Sequence, residues 1–201
     1  MLLGSLAGYV TITAIFLISL TIHEYAHARV AYHYGDDTAA RMGRLTLNPL
    51  AHISLFGTIL LPLIIRFGWA KPVPVDFSVL TRRQIFRVAA AGPAANLLLA
   101  LGLALVFHAL RLPPSSLLGS LVLVAIPANI ALATFNLLPI PPLDGSRMVY
   151  AKLRSPQSIA MYHRVSQFGL LILIVFLYSG GFERFILPAV GVLYVLLGLP
   201  F

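Results

Sequence analysis

The pentapeptide His23-Glu24-Tyr25-Ala26-His27 lies inside an apolar stretch that begins near Gly8, and Glu24 is the first acidic residue of that stretch. On a helix, four residues turn the chain by about 400°, so His23 and His27 share one face, one turn apart. Two imidazoles so placed can hold a metal, while the intervening Glu24 can take a proton from attacking water. Ionisable groups at membrane depth are costly to bury and mark a functional site by default. The pattern predicts a metal-dependent hydrolase, with zinc as the metal and its site inside a bilayer.

Composition supports the membrane half of that expectation. Of 201 residues, 59% are hydrophobic and 10% charged, against about 25% charged in a soluble domain. Mean hydropathy is +0.93. The length suits one helical bundle, with residues 1–201 as a single integral membrane domain. There is no cysteine, so disulfides and thiolate ligands are excluded and any metal must be held by nitrogen and oxygen. The net charge of +8 does not point to a nucleic-acid partner, because Arg and Lys gather between apolar segments, as membrane topology requires. The first segment is too long for a signal peptide and carries the HExxH, so it is expected to be retained.

Apolar segments run over Leu6–His33, Ile53–Ile65, Ile85–Leu110, Leu117–Leu138, Val165–Tyr178 and Phe182–Leu199. A full helical span needs about 20 residues, so Ile53–Ile65 is too short to cross and reads as re-entrant. With the N-terminus outside, twelve basic residues fall on the inner side, from Arg29 to Arg164, and only Arg111 and Arg184 fall outside. That bias would collapse if Ile53–Ile65 crossed fully. The predicted fold is an all-α, multi-pass bundle of about five spans plus one re-entrant segment. It sits in the cell membrane with its site toward the cytoplasmic side. Arg41–Leu47 and Lys71–Val75 look extended and predict a small β element near the site. The alternate prolines of Lys71-Pro72-Val73-Pro74-Val75 suit a sheet edge, or equally a plain Pro-rich loop.

A catalytic zinc usually takes three protein ligands, and two helical histidines leave one to find. His33 has the spacing of an HExxHxxGxxH motif, but Val30 stands where that motif needs glycine. On a continuing helix His33 turns about 240° away from His27. Asp144 is the better candidate. It follows Asn136-Leu137-Leu138-Pro139-Ile140-Pro141-Pro142-Leu143, whose prolines end the preceding helix and predict a stiff extended segment. The first and fourth apolar segments both run outside to inside, so HExxH and Asp144 approach the same leaflet. Asn136 can cap its helix end or donate to a developing oxyanion. Asn96, in Gly92-Pro93-Ala94-Ala95-Asn96, is either a packing hydrogen bond or a site residue, and Asn129 reads as a bond between helices. Asn48, His52 and His108 carry no assigned role.

HEYAH on the first helix, GPAAN on a middle helix and FNLLPIPPLDG after a later one resemble the site-2 protease family of intramembrane zinc metalloproteases. GRLTLNP over Gly43–Pro49 and GWAKPVPV over Gly68–Val75 resemble its short bacterial and archaeal members. The resemblance implies one zinc per chain on His23, His27 and Asp144, Glu24 as general base and Asn136 as a transition-state donor. Asn96 matches the family's GPxxN as a supporting residue. It also implies single-span membrane proteins as substrates, cut within or near their transmembrane segments. Relatives that carry a PDZ domain hold it in the loop that is Leu112–Ser116 here, and others carry a C-terminal CBS domain; neither is visible in this sequence. Short relatives often read HIDP where this chain has His52-Ile53-Ser54-Leu55. An unwound substrate needs backbone partners, and the amides of Val73 and Val75 are candidates to pair with it as an added strand. The competing class is a membrane metal-ion transporter or metal-sensing protein, in which the same ligands would mark an ion path.

Overall fold

The computed structural model describes residues 6–53 and 71–200. Helix α1 spans Leu6–His33, and a single turn, α2, spans Thr38–Arg41. A 3-10 turn over Pro49–His52 follows, capped by Asn48, whose side chain accepts from the Leu50 amide at 3.1 Å. Helix α3 runs over Arg82–Ala109 and α4 over Leu117–Asn136. Shorter helices complete the chain: α5 at Asp144–Tyr150, α6 at Pro156–Gln167, α7 at Gly169–Tyr178, a π-helical turn at Phe182–Ile186, and α8 at Leu187–Leu196.

Local sequence sets the boundaries of the long helices. Thr81 and Gln84 form a reciprocal capping box at the start of α3, with the Thr81 amide donating to Gln84 Oε1 at 2.7 Å. Ser116 caps α4 by accepting from the Gly119 amide at 3.1 Å. Pro139 cannot continue α4, which ends at Asn136.

Helix α3 is the central element and packs along both α1 and α4, with α5 against it. Its buried positions include Ala89, Gly92, Asn96, Ala100 and Ala104, which recur every three or four residues and so form one small-residue face. Such a face lets backbones approach closely, which favours helix packing in lipid. Toward its C-terminal end, Ala100, Ala104 and Phe107 pack with Val122, Ile126 and Ile130 of α4 and with Leu199. There His108 donates from Nε2 to the Leu197 carbonyl at 2.8 Å, which gives that residue a structural use. Large apolar side chains such as Leu98, Leu105, Leu171 and Val175 face outward, as lipid contact requires.

Helices α1, α3 and α4 are long and apolar enough to cross a membrane, and the bent pair α6 and α7 makes a fourth if taken as one span. Among the described residues that makes three or four candidate spans, where five were predicted. At the segment predicted over Val165–Tyr178 the chain bends by 62° where α6 meets α7. Helix α6 carries Gln157, Ser158, His163, Arg164, Ser166 and Gln167, too polar a set for the hydrocarbon core. The apolar ten residues of α7 extend only about 15 Å, half of the roughly 30 Å a full span needs. The π turn and α8 likewise form a run shorter than a full span. The predicted re-entrant Ile53–Ile65 lies outside the described residues apart from Ile53. Among the described residues there is no strand, and residues 71–76 run without regular secondary structure.

Candidate active site

Helix α1 carries His23, Glu24 and His27, all buried, about two-thirds of the way along its length. Asp144 opens α5, also buried, and its Oδ2 lies 3.1 Å from Nε2 of His23 and 3.1 Å from Nε2 of His27. The two Nε2 atoms are 3.0 Å apart. The three atoms thus form a nearly equilateral triangle. Zinc ligands at about 2.0–2.1 Å in tetrahedral array are about 3.3 Å from one another, within a few tenths of this spacing.

The protonation of the two rings follows from their other nitrogens. His27 Nδ1 lies 2.7 Å from the Val88 carbonyl, which can only accept, so the proton is on Nδ1. His23 Nδ1 lies 2.6 Å from Oδ1 of Asn96, which again accepts. In the neutral rings both Nε2 lone pairs then point at the Asp144 oxygen, and three acceptors converge on one place. That arrangement is repulsive unless a cation lies among them, and its donor set suits zinc. A carboxyl that binds a metal must be ionised, and a cation among these three atoms would hold Asp144 in that form.

Gly92 of α3 makes room for this cluster. A Cβ there would lie within 3.0 Å of Nε2 of both His23 and His27. Gly145 does the same for Asp144, since a Cβ would press within 3.0 Å of the Leu137 and Leu138 carbonyl oxygens at the end of α4. The segment between α4 and α5 is not the stiff extended run predicted from its prolines. It turns, with Leu138 N donating to the Phe135 carbonyl at 3.1 Å and Leu143 N to the Ile140 carbonyl at 2.8 Å. These turns fold Asp144 back under α4 and toward α1, which an extended segment would not do.

His23, His27 and Asp144 line a cleft of about 360 Å³, walled by apolar side chains of α1, α4 and α7 and by Pro72, Val73 and Val75. Asn136 lines the same cleft, and its Nδ2 donates to the Leu132 carbonyl of its own helix at 2.9 Å. Glu24 faces it too, but one of its oxygens is taken. The Val73 amide, expected to be free for substrate, donates to Glu24 Oε2 at 2.7 Å. Polar residues after α1 hold this segment in place. Arg44, itself buried, donates from Nη2 to the Lys71 carbonyl at 2.7 Å, and Asp36 Oδ2 accepts from the Asp76 amide at 2.8 Å. His52 donates from Nε2 to the Thr46 carbonyl at 2.9 Å, and the Lys71 amide donates to the His52 carbonyl at 2.9 Å. His52 therefore anchors the loop.

His33 is exposed, beyond the ligand face and against the Tyr34 ring, as the continuing helix requires. Two contributions escaped the sequence reading, the space at Gly92 and Arg147, while Asn129 bonds between helices as expected and the Val73 amide serves Glu24 where substrate was expected. Arg147 lines the cleft three residues past Asp144, with its guanidinium 4.8 Å over the Phe77 ring. Its i, i+3 relation to Asp144 on a helix was the available signal.

Residues 11–118 and 111–180 match Peptidase family M50. The chain belongs to peptidase family M50. Three similar proteins bear the description "Putative zinc metalloprotease". YwhC of Bacillus subtilis is 42% identical over 85% of this chain and 80% of its own length. Rip2 of Mycolicibacterium smegmatis is 35% identical over 88% of this chain and 70% of its own length. MJ0611 of Methanocaldococcus jannaschii is 32% identical over 67% of this chain and 70% of its own length. No solved structure matches the chain. Family and apolar helices together make this M50 peptidase a membrane protein.

Proposed function

We propose that this M50 peptidase is a zinc endopeptidase that cuts peptide bonds within or near transmembrane segments of single-span membrane proteins. The metal is zinc, and His23, His27 and Asp144 hold it. The reading rests chiefly on one observation: three lone-pair atoms, two of them on a membrane-length helix, meet at 3.0–3.1 Å beside the buried carboxylate of Glu24. When bound, zinc supplies a Lewis acid that polarises the scissile carbonyl and lowers the pKa of water.

The chain's own groups do the rest. Glu24 takes the proton from the attacking water on its carboxylate and returns it to the leaving amine. Its Oε2 is fixed by the Val73 amide, so the proton is carried on Oε1. The second N–H of the Asn136 amide donates to the developing oxyanion, since its first is spent on Leu132. Asn96 holds the His23 ring from behind. The apolar wall of the cleft receives the substrate side chains and keeps bulk water out. Val73 contributes its side chain to that wall, and the Val75 amide, which has no partner among the described residues, pairs with the unwound substrate backbone. The inner-side excess of Arg and Lys supports a site toward the cytoplasmic face of the cell membrane.

The test is co-expression with a panel of tagged single-span proteins, comparing wild type with Glu24→Gln. Glutamine keeps the shape and the acceptor for Val73 but cannot take a proton. The variant should retain its zinc and lose cleavage by at least about a hundredfold. Near-native cleavage by Glu24→Gln would remove the base assignment. Zinc flux across the membrane with no substrate cut would establish a transporter instead.

A further inference from the structure

The His23 ring serves a metal only if its proton is on Nδ1, which leaves the Nε2 lone pair available. Its Nδ1 partner is Asn96, whose amide can present either an acceptor or a donor. Had Asn96 turned its NH2 toward the ring, the proton would move to Nε2 and close that nitrogen to metal. Whatever orients Asn96 therefore sets the tautomer of His23.

That control comes from α1 itself and from one helix further out, α4. Asn96 Nδ2 donates to the Ser19 carbonyl at 3.2 Å and to Asn129 Oδ1 at 2.8 Å. Asn129 Nδ2 donates in turn to the Ala125 carbonyl at 2.9 Å and to Ser19 Oγ at 2.9 Å. The Ser19 hydroxyl donates to the Ile15 carbonyl at 2.8 Å. Every branch ends on a backbone carbonyl, which can only accept, so both amides have a single orientation. Rotating Asn129 would set its oxygen against the Ala125 carbonyl and its NH2 against that of Asn96. Both amides are 0% exposed, so water cannot make good a misplaced donor.

We infer that Asn129 is a positioning residue of the metal centre: it fixes the amide of Asn96, and through it the tautomer and direction of the His23 ring. The bonds join α1, α3 and α4, so the ligand takes its metal-ready form only when these three helices are assembled. The inference rests on His23 being a ligand.

The full chain is purified in detergent, its zinc affinity read by competition with a chelator, and its ligand geometry read from the visible spectrum of bound Co²⁺. Asn129→Leu keeps the bulk and removes the acceptor; it should weaken zinc binding about 10–100-fold and shift the cobalt spectrum. Asn129→Asp, kept neutral by burial so that its O–H donates to the Ala125 carbonyl, keeps an acceptor for Asn96 and should stay within about threefold of wild type with an unchanged spectrum. Because Asn129 acts through Asn96, Asn129→Leu in an Asn96→Ala background should change affinity by less than about twofold. Native affinity and spectrum in Asn129→Leu would overturn the inference, as would an equal loss with and without Asn96. If Asn129→Leu does not fold, Asn129→Ala carries the same expectations and the same refutations. Zinc retained in His23→Ala would instead defeat the ligand reading; zinc lost there but held by the Asn129 variants defeats this inference alone.

Discussion

The backbone amide of Val73 donates to the carboxylate of Glu24 at 2.7 Å, across 49 positions of sequence. The proposed base is therefore held from outside its own helix, by a segment with no regular secondary structure. That segment is itself held by Arg44 on the Lys71 carbonyl and by Asp36 on the Asp76 amide. Its proline-rich composition helps. Pro72 and Pro74 lack amide donors and restrict their own φ, which reduces the freedom lost when the Val73 amide is aimed at one oxygen.

Val73→Pro removes that donor while leaving the metal ligands untouched. A hydrogen bond to a charged group contributes about 1.5–3 kcal/mol, so kcat should fall roughly 10–100-fold if the bond matters mainly in orienting the base. Zinc content should stay at the wild-type level. Val73→Ala keeps the amide and should lose little in kcat, with any effect appearing in KM through the apolar wall. Equal kcat for Val73→Pro and wild type, in folded and zinc-loaded protein, would show that Glu24 needs no such support.

Helix α3 approaches α1 closely enough that Gly92 has no room for a side chain. The Cβ of Gly92→Ala would lie within 3.0 Å of Nε2 of both His23 and His27, so the rings or the helices must shift. The expected result is loss of most bound zinc, as in His23→Ala or Asp144→Ala, with the helical content preserved. His33→Ala, altering an exposed residue, should keep its full zinc. Metal analysis of the four purified variants checks the set. A zinc-replete Gly92→Ala would mean that the helices part without cost to the site, and a zinc-replete Asp144→Ala would remove Asp144 from it.

What the sequence made legible was whatever repeats along one helix. The run Leu6–His33 became α1, and the four-residue spacing of His23 and His27 put both on the face that meets Asp144. Leu117–Leu138 became α4 with its end two residues early, because the prolines that follow stop a helix wherever they stand. The unread parts depend on approach between elements. Gly92 looks like any small residue of a packing stripe until α1 is laid against it. Asn129 looks like a bond between helices, and only the direction of the Asn96 amide ties it to His23. The bend within the span predicted over Val165–Tyr178 went unread for a different reason. Its apolar composition continued across Phe168 while the helix axis did not, and composition carries no direction.

The side of the membrane on which the site opens is the last expectation to test. Arg82 donates from Nη1 to the Tyr150 carbonyl at 3.0 Å and to the Leu153 carbonyl at 2.7 Å, tying the start of α3 to the end of α5. The turn at Asp76–Ser78 and the start of α6 therefore share one end of the bundle, and the α3–α4 loop lies at the other, beyond the length of α3. The basic residues gather at the first of these ends, which predicts that it is cytoplasmic. The chain has no cysteine, so single cysteines report cleanly. Ser78→Cys and Gln157→Cys, both at exposed positions, should react with a membrane-impermeant thiol reagent only after the cells are opened. Ser115→Cys, exposed in the α3–α4 loop, should react in intact cells. Labelling of Ser78→Cys in intact cells with Gln157→Cys protected would break the shared end and, with it, the approach of Asp144 to the histidines. Labelling of both, with Ser115→Cys protected, would keep the site but turn it to the outer face.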